Sequence, residues 1–453
     1  MSKHTKGVET LLGNPKKAVF KLSLPIILTN FIQTIYNLAD AIWVAGIGAD
    51  ALAAVGFFFP FFFVIIALGM GLGIGGGSAI SRRIGANDRE RAGLVATHTV
   101  FLTVVASAIF SLSLFFSIKF ILFKLGAGNT LAMSTTYAKI IIAGAFFVVF
   151  ANVGTAILRS EGDTKRSMWA MMLGAGLNII LDPIFIYGFK LGVAGAAWAT
   201  IISFAISSIL IGYWLFFKKD TYVPMSIRTF IFKTAIIKEI FSVGIPATIQ
   251  SITMAMSAFI LNIIVSNTAG PDGIAVLVTG WRIIMIGTMP VFGIAVAIVS
   301  ISGAAYGAKD MIKLKDGYKF ALKAAVLIEL GAAITILIFA PYIAKIFTYS
   351  ESAAHIADEL VLFLRITAIS YPAVAIGPIS SSLFQGIGLG FRSLVLTVLR
   401  TIVLMLPLTI FFVYILKLGV TGVWWGISCS NLTLAIVGFS WVNLHIRKLI
   451  KQS

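Results

Sequence analysis

Three acidic residues stand inside long apolar runs of this 453-residue chain: Asp40, Asp182 and Glu329. Placing a carboxylate at the centre of a membrane helix costs about 2.5–3.5 kcal/mol on insertion scales, so each such group calls for a function. The chemistry open to it is to carry a proton or to hold a cation among neutral oxygens. Asp40 closes the segment Tyr36-Asn37-Leu-Ala-Asp40. On a helix Tyr36 at i−4 and Asn37 at i−3 share its face, and Gln33 continues the stripe. Asp182 closes Asn178-Ile-Ile-Leu-Asp182 and is followed by Pro183. Asn178 lies at i−4, and a proline has no N–H, so the carbonyl of Ile179 loses its helical partner. Carboxylates, an amide and a freed carbonyl make a ligand set for a cation. The bland alternative is that each Asp merely bonds a neighbouring helix and fixes packing.

The remaining polar residues within apolar runs point less clearly. Glu329 follows Lys323 by under two turns and has no polar partner at helical spacing; Arg282, Arg365 and Arg400 are candidate partners for a structural ion pair. His98 reads as a packing histidine. Gly69, Gly73 and Gly77 recur every four residues and form a small face for close helix approach. The block Phe57–Phe59 and Phe61–Phe63, interrupted by Pro60, is expected to face lipid, and Met254, Met256, Met285 and Met289 offer an adaptable apolar surface. No nucleophile–base constellation, metal-ligand cluster or nucleotide-binding motif occurs. The expectation is a protein that is not an enzyme, needs no cofactor, and draws energy from an ion gradient. The single cysteine, Cys429, excludes an internal disulfide.

The elements that must position these groups follow from composition. Only 11% of residues are charged and 59% are hydrophobic, against roughly 25% charged in a soluble domain. At about 20 apolar residues per span, twelve helices fit the length. We place them near 18–42, 51–80, 91–117, 134–158, 165–188, 192–216, 237–266, 274–305, 318–340, 356–385, 392–415 and 419–443. Continuous apolar runs such as Val55–Leu68 exclude the alternating strands of an outer-membrane barrel. The net charge of +18 lies in alternate loops, which argues against nucleic acid. Arg82, Arg83, Arg89 and Arg91 fall in one such loop, Arg159, Lys165 and Arg166 in the next, and Lys218, Lys219, Arg228, Lys233 and Lys238 in a third. Both basic termini, including Lys3, belong to the same set. By the positive-inside rule this side is cytoplasmic, and the first span is an uncleaved anchor.

The chain repeats itself. Lys190-Leu-Gly-Val-Ala-Gly recurs as Lys417-Leu-Gly-Val-Thr-Gly; Gly162 with Arg166-Ser167 recurs as Gly388 with Arg392-Ser393. Ser78, Gly85-Ala86 and Asp88 recur as Ser300, Gly307-Ala308 and Asp310, and Pro25 as Pro246. The offsets run 221 (25 to 246), 222 (78 to 300), 226 (162 to 388) and 227 (190 to 417). Six spans per half is an even number, so the repeat is parallel. We expect an all-α membrane protein with an N-terminal lobe over 1–216, a cytoplasmic linker over 217–238 and a C-terminal lobe over 239–453. The duplication suits alternating access better than a receptor or channel.

Four segments carry a family resemblance: Pro25 with Tyr36-Asn37-Leu-Ala-Asp40, Arg82-Arg-Ile-Gly-Ala-Asn-Asp88, Leu158-Arg-Ser-Glu-Gly-Asp163, and Gly176-Leu-Asn178 with Asp182-Pro183. They resemble the multidrug and toxic compound extrusion (MATE) family, and the chain is most similar to its archaeal and DNA-damage-inducible-type members. The resemblance spans the whole chain. It implies a V-shaped pair of six-helix bundles that exports small organic, often cationic, drugs in exchange for protons or sodium ions. Carried over to matching positions, it implies a coupling site of Asp40, Asn178, Asp182 and Thr200 with Tyr36 close by. If the ion is sodium, Asp40, Asn178, Asp182 and Thr200 would be its ligands. The other major branch places acidic ligands in its seventh and tenth helices, where this chain has Gln250, Asn262 and Tyr371; a second coupling site of that kind is not expected. A substrate cavity is expected from Gln33, Asn37, Asn152, Thr155 and Met256, with Pro25 as the hinge of the first helix. Similar archaeal members have more asparagine in the fourth helix. The implied setting is a monomer in the cell membrane with both termini cytoplasmic. A lipid-linked oligosaccharide flippase of the wider superfamily and a non-transporting sensor or channel are the competing readings.

Overall fold

The computed structural model describes residues 4–218, 220–225, 230–350 and 353–452. Lys3, Lys219 and Arg228 of the basic loops, and with them part of the 217–238 linker, lie outside the described residues. Among the described residues every regular element is helical. Nine helices are long and apolar enough to cross a bilayer by themselves, and two further spans are each a bent pair. One of the nine, Thr234–Gly307, has 74 residues and would measure about 110 Å at 1.5 Å per residue. That is several times the roughly 30 Å hydrocarbon layer. It is interrupted at Gly270, whose backbone (φ 61°, ψ −151°) only glycine adopts readily. It is therefore two spans, the seventh and eighth, and the total is twelve.

Two of the spans, those placed near 134–158 and 356–385, are bent. The fourth span is Gly128–Ala143 followed by Ala145–Ser160, bent by 47°; the tenth is Ala354–Ala368 followed by Tyr371–Gly386, bent by 54°. Gly144 marks the first break because a side chain there would collide with Ile201 at about 2.5 Å. At the second break Pro372 follows directly and cannot donate to the carbonyl of Ala368. The N-terminal stretch also differs from the polar tail expected of it: Lys6–Leu12 is a short helix capped by Thr5, and its Val8 and Leu11 are fully buried.

The duplication is written in the backbone. Asn87 and Lys309 share a left-handed conformation (φ 56° and 57°), as do Lys190 and Lys417 (both 55°) and Gly162 and Gly388 (82° and 88°). Such angles are uncommon outside glycine, so their recurrence at the repeat offsets reflects one ancestral geometry. Asp88 caps the third span by accepting from the Arg91 amide, and Asp310 caps the ninth by accepting from the Lys313 amide. The fifth and eleventh spans both end in a π-turn, at Ile184–Gly188 and Phe411–Ile415.

The chain forms two compact units, Met1–Gly13 with Leu24–Thr248, and Asn14–Ser23 with Ile249–Ser453. The division falls within the seventh span and not in the linker. The start of that span belongs to the first unit because Glu239 pairs with both Arg82 (3.1 Å) and Arg83 (2.8 Å), and a side chain on Gly75 would strike the Ile240 carbonyl. In the first unit the glycine face of the second span packs on the fourth: a side chain at Gly73 would sit 2.9 Å from the Ala156 methyl. Small residues are what allow the two backbones to approach that closely.

Candidate functional site

The first, fifth and sixth spans carry the site, and its residues fall within the first compact unit. Asp40 lies near the end of Pro15–Ala45. Asp182 sits at the last turn of Thr164–Pro183 and is fully buried. Proline at 183 has no N–H to give, and the chain continues as a π-turn that closes with the Phe189 amide on the Ile184 carbonyl (2.8 Å). This turn places Tyr187 so that its hydroxyl donates to the Trp43 carbonyl at 2.6 Å, tying the end of the fifth span to the first. The sixth span, Val193–Gly212 with the π-turn Tyr213–Phe217, opens beside that turn. A side chain at Gly195 would lie 2.6 Å from the Phe185 backbone, so glycine there is required for the approach. Thr200 follows, buried.

These helices bring five of the expected residues into one contiguous chain of polar side chains. Tyr36 lies beside Thr200. Asn178, oriented as its neighbours require, accepts from the Thr200 amide (3.2 Å) and donates to Asp182 Oδ2 (2.9 Å). The carboxyl groups of Asp40 and Asp182 come within direct electrostatic reach of each other. Two carboxyl groups this close can share a single proton. Asp182 Oδ1 has no partner. Carboxylate, amide and hydroxyl oxygens from three helices also compose the hard-oxygen donor set that a sodium ion takes, in the absence of any softer ligand.

Next to this chain lies a recess of about 290 Å³, part of it open, walled by Gln33 and Tyr36 of the first span, Met171, Gly174, Ala175 and Asn178 of the fifth, and Thr200, Ser203, Phe204 and Ser207 of the sixth. Tyr36, Asn178 and Thr200 therefore belong to both the polar chain and the recess wall. Ser203 and Ser207 were missed in the sequence. Their signal was present: Thr200, Ser203 and Ser207 stand at i, i+3 and i+7, one face of a helix. The Ser203 hydroxyl is buried and has no partner, while Ser207 bonds the Ala170 carbonyl.

Other expected site residues stand elsewhere. Asn152 donates to the Val148 carbonyl of its own helix (2.9 Å) and Thr155 to the Asn152 carbonyl (2.9 Å); Asn152 packs beside Gly69 of the second span. Neither is in the wall of the recess. Asn37 is exposed, because at i−3 its side chain diverges from the Asp40–Asp182 contact. Met256 is exposed and belongs to the second unit. Pro25 lies within the first span, and the Thr29 hydroxyl bonds its carbonyl (2.8 Å). Glu329 forms no ion pair with Arg282, Arg365 or Arg400 among the described residues, and neither of its oxygens has a hydrogen-bond partner. Arg282 and Arg365 are exposed while Glu329 is fully buried, so they leave the bundle on other faces. His98 is a packing histidine that also fixes the end of the linker. Its Nδ1 bonds the Leu94 carbonyl (2.7 Å) and its Nε2 accepts from the Lys233 amide (3.0 Å).

The linker is docked onto the first unit at other points too. Glu161, fully buried, accepts from the Val223 amide (3.0 Å), Arg89 donates to the Tyr222 carbonyl (2.7 Å), and Arg166 makes two bonds to Asp220 (2.9 and 2.6 Å). Burial, assisted by the nearby charge of Asp163, pushes the Glu161 carboxyl up to about 8, against the opposing pull of the Val223 amide.

The MatE family model matches residues 25–184 and 246–411 of the chain. The chain belongs to the MatE family of transporters. The two matched segments begin at the paired prolines Pro25 and Pro246 and end at Ile184 and Phe411, so the signature of a MatE protein is itself the repeat. The multidrug export protein MepA of Staphylococcus saprophyticus is 28% identical over 434 residues, covering 94% of both chains. A crystal structure of a MATE protein in complex with MaL6 is 46% identical, with a TM-score of 0.96 over 99% of this chain and 100% of its own. A transporter of the MOP superfamily from Pyrococcus furiosus, described as having a binding pocket whose reverse polarity suggests a different function, is also 46% identical, with a TM-score of 0.94 and 99% coverage of each chain. This MatE chain is thus a multi-pass membrane transporter. Its repeat is unequal in chemistry. At the offsets of the site residues the second unit has Leu261 (40 + 221), Met405 (178 + 227), Thr409 (182 + 227) and Ile427 (200 + 227), and Leu261, Met405 and Ile427 lie in one apolar core cluster.

Proposed function

We propose that this transporter is a cation-coupled antiporter that exports small organic, often cationic, drugs and toxic compounds by alternating access. The observation that carries the reading is the close pair Asp40–Asp182, linked through Asn178 to Thr200 and set beside Tyr36 in the wall of a recess. An ion and an organic molecule that use the same short chain of residues are competitors, and competition is what antiport requires. In one state the pair holds its proton, or a sodium ion takes the proton's place among Asp40, Asp182, Asn178 and Thr200. In the other the carboxylates are free to attract a cationic substrate to the recess beside Gln33 and Tyr36. Repacking of the first span at Pro25, whose missing amide leaves its helix weak, couples loading to a change in recess volume. The name of the staphylococcal relative, a multidrug export protein, supports the substrate class. The basic side of the chain would face the cytoplasm with both termini, the protein working as a monomer in the cell membrane.

The deciding experiment is exchange in proteoliposomes: uptake of a fluorescent organic cation against an imposed pH gradient, an imposed sodium gradient, both or neither. Concentrative uptake under one gradient, lost in Asp40→Asn and Asp182→Asn, is expected. Movement of the dye at equal rates with and without either gradient would refute antiport.

A further inference from the structure

A carboxyl group is also buried in the other unit, where the repeat supplies no counterpart to the Asp40–Asp182 pair. Glu329 of the ninth span, Met311–Phe347, is fully enclosed, and both of its oxygens lack hydrogen-bond partners. No charged side chain acts on it among the described residues; Lys323 on its own helix, Arg282 on the eighth span and Arg365 on the tenth are all exposed, and Arg400 on the eleventh makes no ion pair with it. The titratable group beside it is Tyr371, at the break of the tenth span: a side chain on Gly287 would lie 3.7 Å both from the Tyr371 ring and from Ala332, one turn along the ninth span from Glu329. The Tyr371 hydroxyl is buried beside Thr367 without completing a hydrogen bond of normal geometry. One residue further on, Pro372 deprives the Ala368 carbonyl of its helical donor.

An ionised carboxylate in such a place without a counter-charge is untenable, and a neutral acid with neither its O–H nor its C=O satisfied is costly as well. A side chain kept only for packing would be better served by leucine or methionine. The duplication reinforces the point. At the offset of Glu329 the first unit has Ser107 (329 − 222), which bonds its own helix at the Thr103 carbonyl, and at that of Tyr371 it has Ala145 (371 − 226).

We propose that Glu329, with the Tyr371 hydroxyl as neighbouring neutral oxygen, is a second cation site, taking a proton or a sodium ion independently of the first unit. One carboxylate balances one monovalent charge, which makes the buried group electrically acceptable in either loading. The transporter then carries two separate cation-loading events per cycle, one in each unit.

The test uses the full-length chain carrying Asp40→Asn and Asp182→Asn, which removes the first site. Infrared titration of the protonated carboxyl band reads the proton arm, and the thermal midpoint against sodium at constant ionic strength reads the sodium arm. We expect the double variant to retain a carboxyl band that titrates with pH, or a midpoint that climbs with sodium, and addition of Glu329→Gln to abolish it. Tyr371→Phe in the same background, which keeps the ring that fills the core, should weaken the retained response roughly tenfold, the loss of one ligand at about 1.4 kcal/mol. Identical titrations and sodium responses with and without Glu329→Gln would overturn the proposal, as would an unchanged response in Tyr371→Phe should the triple variant not fold. Drug exchange that persists in the double variant would overturn the coupling role of the first site and leave this one standing.

Discussion

Asp40→Asn is the perturbation that bears most directly on coupling. Asp40 and Asp182 stand close enough for one proton to be shared between them. An asparagine at position 40 can still donate an amide hydrogen to Asp182, and Asp182 keeps its 2.9 Å bond from Asn178. The local geometry therefore survives, and the change in stability should stay within about 1 kcal/mol, the worth of one rearranged hydrogen bond. Coupling does not survive, because the exchangeable proton has become a fixed amide hydrogen. One proton per cycle across one pH unit supplies about 1.4 kcal/mol, enough for a tenfold concentration ratio of substrate. The wild type should sustain such a ratio for each pH unit imposed, or for each tenfold sodium gradient, and Asp40→Asn a ratio near one. The assay is steady-state accumulation of a fluorescent cation in proteoliposomes, with thermal midpoints measured on the same preparations. A variant that keeps its midpoint and still concentrates the dye tenfold per pH unit would refute the reasoning.

Other outcomes follow from single contacts. Glu161 titrates near 8 in the folded chain and near 4.5 unfolded, so the folded state holds the extra proton between those values; stability should fall by a few kcal/mol, in order of magnitude, as pH rises from about 4.5 to about 8, and Glu161→Gln should flatten that slope in a thermal-shift series. Gly73→Leu would force a side chain into the 2.9 Å gap to Ala156 and should cost about 1–3 kcal/mol or abolish folded expression, read by size-exclusion of the detergent-solubilised protein. Ser203→Trp should fill the recess and reduce dye binding by more than tenfold, while cation-dependent shifts of the midpoint persist; dye affinity equal to wild type would remove the recess from the substrate path.

The linker illustrates how local signals and packing divide the work. Its basic residues and Pro224 identified it as a connection between halves, yet nothing in its own sequence pointed to Glu161, Arg89, Arg166 and His98 as its anchors. Those residues come from three different helices, and their hydrogen bonds to the linker go to backbone groups in all cases but the Arg166–Asp220 pair; Arg89 also lies over the Tyr222 ring and His98 against Phe230. Backbone amides and carbonyls are the same in every sequence, so such contacts leave no mark on the linker itself.

Periodicity was sufficient to assign Tyr36 and Asp40 to one helix face and Asn178 and Asp182 to another, and the apolar runs with their glycines and prolines were sufficient for the twelve spans and the repeat. Both are local properties: hydrophobic length and the 3.6-residue period depend on the chain within a few turns. Only the tertiary structure decided that the two acidic faces meet, that Ser203 lines the recess, and that Asn152 turns toward the second span instead. It alone left Glu329 without the arginine partners that its sequence neighbourhood allowed. The physical reason is that the rotation of one helix about its axis relative to the next is set by packing, here by glycines such as Gly73 and Gly195 and by the breaks at Gly144 and Pro372, and a rotation of a quarter turn changes every partner without altering a single residue.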